Sequence, residues 1–99
     1  MEIGESAFSG CISITDLELP EGIITLYSEA FSDCYALKTV TIPSTMGIIC
    51  ERVFENCSEL EEILFNGTKE EWEEIELNDD WNKGIKALAV KCTNGYVWF

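Results

Sequence analysis

The chain has 99 residues, 46% of them apolar, and carries 19 acidic against 6 basic side chains, a formal net charge of −13. That length holds one domain with a thin core, and that charge repels phosphate backbones and anionic lipid, which excludes nucleic acid and membrane surfaces as favoured partners. No apolar run approaches the ~20 residues that cross a bilayer, so no membrane insertion is expected, and the start, "MEIGESAFSG", has neither the basic nor the apolar segment of a signal peptide.

From residue 3 the chain repeats itself with a period of 23. Ile3, Leu26 and Ile49 fall in one column. Ala7, Ala30 and Val53 form the next, followed by Phe8, Phe31 and Phe54, then Cys11, Cys34 and Cys57. The frame continues without insertion through Ile14/Leu37/Leu60, Leu17/Val40/Ile63 and Leu19/Ile42/Phe65. A fixed period in the twenties marks a solenoid, because one such unit cannot bury its apolar side except against copies of itself. The rows run 3–25, 26–48 and 49–66, within a repeat region of residues 1–66. Stacked in register, Phe8, Phe31 and Phe54 make an aromatic ladder.

Within each row the elements come in the same order. First come "GESAFSGC", "YSEAFSDC" and "CERVFENC", too short for a helix and read as single helical turns. Next, "SITDLELP", "LKTVTIP" and "LEEILFN" alternate apolar and polar residues, the period of a short strand. Rows that stack in one direction make these strands a parallel sheet. Pro20 and Pro43 close the first two rows and Asn66 stands in their place in the third. A second short extended piece, "GIITLY" or "MGIIC", leads from the proline to the next turn.

Five cysteines leave at least one thiol unpaired. Neighbouring coils bring Cys11, Cys34 and Cys57 about 4.8 Å apart, yet equivalent side chains point in parallel, which keeps their Cβ atoms too far apart for a disulfide. They read as small buried hydrophobes. A metal site is the alternative, but there is no Cys-x-x-Cys pair and no histidine, so no metal or cofactor is assigned. Cys50 and Cys92 lie outside this column.

The outward strand positions form two columns: Asp16, Thr39 and Glu62, and Glu18, Thr41 and Leu64. They are the candidate ligand-binding residues, since open solenoid sheets serve as binding surfaces. The plain alternative is a solvated face on which threonine separates the acids. Residues 59–80 hold ten carboxylates and one base, Lys69. That run reads as a solvated surface, or as a patch for a basic partner or Ca²⁺. "NDD" at 78–80 offers oxygen ligands but not the spacing of a calcium loop, and reads as a polar turn.

The tail, residues 67–99, reads as a cap. Thr68 followed by Glu71 is a capping box, and a helix over about 69–76 lays Trp72 and Ile75 over the last coil, blocking the sheet edge. Trp81 anchors the next loop. "TNG" between "ALAVKC" and "YVWF" signals a hairpin over about 86–99, with Val90, Cys92, Val97 and Phe99 supplying its apolar positions. No corresponding cap precedes the first row, which is expected to expose apolar groups and a bare edge, open to self-association or to an upstream segment.

"IGESAFSGCISITDLELP", "LYSEAFSDCYALKTVTIP" and the weaker "ICERVFENCSELEEILFN" resemble the BspA-type leucine-rich repeat family. "FNGTKEEWEEI" and "VKCTNGYVWF" resemble the segment that closes such arrays: Gly67, Thr68 and Trp72 match one part, and Cys92, Thr93 and Gly95 the other, with Asn94 where the family has Asp. The resemblance implies an α/β leucine-rich repeat solenoid. It also implies an extracellular or cell-surface bacterial protein, often an adhesin-like module that binds protein or glycan.

Catalysis is not expected. Without histidine, Ser-His-Asp and Cys-His nucleophile systems are absent, and no Gly-rich phosphate loop occurs. Two functions remain: a non-catalytic binding module using the sheet face, and a structural spacer with no ligand of its own.

Overall fold

The structure, a computed structural model, describes residues 2–99; Met1, the first residue of the expected repeat region, lies outside them. Among the described residues, nine short strands and one helix wind into a parallel solenoid. Strands β1 (Glu2–Ile3), β3 (Thr25–Leu26), β5 (Ile48–Ile49) and β7 (Glu76–Leu77) form a narrow four-stranded sheet. Strands β2 (Asp16–Glu18), β4 (Thr39–Ile42), β6 (Glu62–Phe65), β8 (Ala89–Cys92) and β9 (Gly95–Trp98) form a five-stranded sheet in that order. All pairings are parallel except β8 with β9.

The first three turns keep the 23-residue frame: Glu2 pairs with Thr25, Thr25 with Ile48, Asp16 with Thr39 and Thr39 with Glu62. A fourth turn follows, in which Ile48 pairs with Glu76 and Ile63 with Val90. Its spacing is 28 and then 27 residues, because helix α1 (Lys69–Glu73) is inserted between β6 and β7. The expected three coils are therefore four, and much of the expected cap is the last coil. The helix stops at Glu73, short of the 76 read from the sequence, because Glu76 is taken by the β5 edge.

Residues 5–10, 28–33, 51–56 and 79–84 form the third side of each coil, and they are not the helical turns read from the sequence. Their amides alternate between two duties. Those of Ser6, Phe8 and Gly10 donate to the carbonyls of Ser28, Ala30 and Ser32 in the next coil, while those of Ala7, Ser9 and Cys11 fold back to Gly4, Ser6 and Phe8. The same reach to the next coil recurs from Glu29, Phe31 and Asp33, and from Arg52, Phe54 and Asn56. A helix would spend every amide locally and leave the coils unlinked on this side. The alternation requires left-handed backbone twice per coil, at Ser6, Glu29, Arg52 and Asp80 and at Gly10, Asp33, Asn56 and Gly84. Non-glycine residues are uncommon there, and Asn56 Nδ2 donates to Asp33 Oδ1 at 3.1 Å to tie neighbouring coils.

Side-chain columns fill the interior. Phe8 stacks on Phe31 with ring centroids 5.3 Å apart and planes 4° from parallel, and Phe31 stacks on Phe54 at 5.8 Å and 10°. Phe31 and Phe54 are buried, whereas Phe8 is 41% exposed because only one neighbour covers it. Ile12, 71% exposed, adds to the apolar surface of the first coil, whose β1 and β2 are edge strands. Trp81 ends the ladder. It occupies the alanine column, accepting through its carbonyl from the Phe54 amide, and its indole meets Phe54, Trp72 and Phe99 edge-on or tilted at 6.4, 5.8 and 5.5 Å.

All five cysteines are free. The buried thiols of Cys34 and Cys57 donate to the carbonyls of Phe8 and Phe31 at 3.3 and 3.1 Å, satisfying weak donors inside the core. Burial pushes the Cys57 thiol up to about 12 and raises Cys34 as well.

Candidate functional site

Period-two alternation sends Val40, Ile63 and Val90 into the core, where all are buried, and turns their neighbours outward. The outer face of the five-stranded sheet is built from those neighbours. The register places Asp16 beside Thr39 and Thr39 beside Glu62 in one column, and Glu18 beside Thr41 and Thr41 beside Leu64 in the other. All six residues expected from the sequence therefore share one face. The three carboxylates are exposed, and the threonines and Leu64 are half-buried. Thr39 separates Asp16 from Glu62 by two strand spacings, about 9.6 Å, which is beyond the screening length in physiological salt.

The columns do not stop at β6. Leu64 pairs with Lys91, and Lys91 with Tyr96. In the other column Ala89, next to Val90, continues from Glu62 and pairs with Trp98. Ala89, Lys91, Tyr96 and Trp98 thus complete a face five strands wide, about 19 Å at the usual strand spacing. Its character changes across that width, from acids through threonines to an aromatic pair. Sequence reasoning missed these four because it treated residues 86–99 as a hairpin over the end and followed only its apolar positions. The parity of "AVKC" and "GYVW" carried the signal: Lys91 alternates with Val90 and Cys92, and Tyr96 and Trp98 flank Val97.

The aromatic end is held rigidly. Thr68 is the N-cap of α1: its hydroxyl accepts from the Glu71 amide at 3.1 Å, and the Glu71 carboxylate accepts from the Thr68 amide at 2.9 Å. Gly67 lies under the Phe65 ring, where a Cβ would come within 2.6 Å of Phe65 Cε2. The hairpin is bolted to this corner. The Thr93 amide and hydroxyl both donate to the Gly67 carbonyl, at 2.9 and 3.1 Å. Asn94 accepts from the Lys69 amide through Oδ1 at 2.8 Å and donates through Nδ2 to Glu70 at 3.1 Å. That side-chain hydrogen bond, with the helix backbone, holds the Glu70 carboxyl below the usual range. Beneath, Trp72 packs edge-on to Phe65 at 5.3 Å.

Beside β9 a shallow cleft of about 310 Å³ is lined by Glu61, Lys86, Ala87, Leu88, Ala89, Tyr96 and Trp98. Lys86 Nζ pairs with Glu59 at 3.1 Å. A second concavity, about 380 Å³, lies by β5 and β7 among Ser28, Cys50, Glu51 and Asp79. Asn78, Asp79 and Asp80 open the fourth turn, with the Asp79 carbonyl accepting from Arg52. Among the described residues no three His, Cys, Asp or Glu side chains converge as metal ligands, and no helix is long and apolar enough to cross a membrane.

Residues 1–81 match the family described as the BspA-type leucine-rich repeat region, in six copies. The chain belongs to the BspA-type leucine-rich repeat family. The match covers more than three of the four coils and ends at Trp81, so the aromatic hairpin lies beyond it. The chain matches no curated protein and no solved structure. BspA-type repeats are typically bacterial and surface-associated, and leucine-rich repeats commonly mediate protein interactions without catalysis.

Proposed function

We propose that this BspA-type repeat protein is a non-catalytic binding module, secreted or displayed on a bacterial surface, which holds a protein or glycan on the outer face of its five-stranded sheet. One observation carries this reading: two uninterrupted columns of outward side chains, Asp16 to Trp98 and Glu18 to Tyr96, cross five strands on a rigid core. A face fixed by backbone pairing loses little conformational freedom on binding. Its graded chemistry, acidic at one end and aromatic at the other, offers a ligand polar and stacking contacts along one line.

The test is an array of extracellular-matrix proteins and glycans probed with the chain at low and physiological salt. Saturable binding that Thr39→Ala with Glu62→Gln weakens supports the sheet face. If nothing on the array binds saturably, the alternative reading, a structural spacer with no ligand of its own, is favoured. Sedimentation run alongside reads self-association: Phe8 and Ile12 on the first coil are exposed, and a dimer abolished by Phe8→Ser places that contact at the open end.

A further inference from the structure

We infer that the cleft beside β9, with Trp98 and Tyr96 as its floor, is a stacking platform for a neutral, extended saccharide. This rests on the sheet-face reading above and names its ligand class.

The aromatic pair is exposed in a chain that otherwise hides its indoles. Trp72 and Trp81 are 2% and 7% exposed, whereas Trp98 is 68% and Tyr96 52% exposed. Leaving two such rings in water forgoes several kcal/mol of burial, on the order of 1.5–3 per large apolar side chain, and contiguous exposed apolar surface of this kind marks a binding site. Tyr96 and Trp98 sit two residues apart on one face of β9, with centroids 5.8 Å apart and planes 30° from parallel. Both rings line the cleft, close enough together that a ligand packed on one reaches the other.

The rim fits a polyol better than an apolar peptide. Glu61 supplies a carboxylate that accepts from sugar hydroxyls, and Lys86 an ammonium that donates to them. The Tyr96 hydroxyl and the Trp98 indole N–H add polar edges to the rings. A pyranose presents C–H groups on its face and hydroxyls around its edge, so it meets the aromatic floor and the polar rim at once. Ala89, opposite Trp98, is small and leaves room for a chain to run on toward Lys91 and Glu62. The net charge of −13 repels sulfated or uronic polymers, which selects a neutral chain.

The experiment titrates the whole chain with neutral hexaoses of β-1,4-glucan, β-1,4-mannan, β-1,4-xylan and α-1,4-glucan, and with heparin as the anionic control, by calorimetry and tryptophan fluorescence. At least one hexaose binds saturably and heparin does not. Trp98→Ala weakens that hexaose about tenfold or more, as loss of one stacked ring entails. Trp98→Phe retains most of the affinity, and Glu5→Gln, exposed on the turn side of the first coil and off the sheet face, changes nothing. Circular dichroism confirms that each variant is folded. The inference is overturned if no hexaose saturates, if binding survives Trp98→Ala, or if heparin binds the same rings. It is also overturned if Trp98→Ala abolishes self-association in sedimentation instead, which makes the pair a contact between copies. A protein ligand lost with Thr39→Ala but indifferent to Trp98→Ala refutes the saccharide platform and leaves the sheet-face reading standing. A hexaose that depends on Trp98 while ignoring Thr39 and Glu62 confines binding to the cleft and refutes the wider face.

Discussion

Truncating the phenylalanine column one residue at a time tests the stacking on which the fold depends. Phe31 has a ring on each side and is 1% exposed, and Phe54 is fully buried between Phe31 and Trp81. Phe31→Ala or Phe54→Ala opens a cavity that rigid neighbouring coils cannot close, at a cost of about 3–5 kcal/mol. Phe8 is 41% exposed and has one stacking partner. Its truncation forfeits part of the transfer free energy and one stacked pair but leaves no closed void, so Phe8→Ala costs about 1–2 kcal/mol. Urea denaturation followed by circular dichroism, with a common slope, reads the difference as a midpoint shift two to three times larger for the inner residues. Hydrogen exchange adds location: after Phe8→Ala the loss of protection concentrates in the first coil, because a solenoid's stability is a sum over neighbours. Equal costs for all three substitutions, or a larger cost for Phe8, refute the stacked-column account.

Two further predictions concern the capped corner and the thiols. Thr68→Ala removes the hydroxyl half of the capping box and costs about 1 kcal/mol by denaturant midpoint, while Thr68→Ser is near neutral. Cys57 has a native pKa of about 12 against an ordinary value of 9.0. The neutral thiol is thus the native form, and its contribution is complete below pH 9.0 and drains as pH rises from there toward about 12. The midpoint should fall along that window in the wild type and fall less steeply in Cys57→Ala; identical alkaline limbs would show that this thiol does not couple to folding.

The sequence by itself determined the solenoid. A 23-residue period with matching apolar columns admits no other way of burying Phe31, Cys34, Leu37 and Val40 at once, and strand alternation put Asp16, Glu18, Thr39, Thr41, Glu62 and Leu64 on one face. These are local and periodic facts, and periodicity survives translation into three dimensions. Only the tertiary structure decided what happens where the period breaks. Helix α1 shifts the frame by five residues and then four, so Trp81, Val90 and the fourth-turn strands fall out of alignment with their columns although they stack directly on them. The turn segments misled for a related reason. Alternate amides are satisfied by the neighbouring coil, a long-range choice that local sequence does not encode and that demands left-handed residues at Glu29, Asp33, Arg52 and Asn56. The aromatic floor of Tyr96 and Trp98 was likewise invisible until β9 paired with β8, because only that pairing carries the outward columns from the acids of β2 to the exposed rings at the far edge.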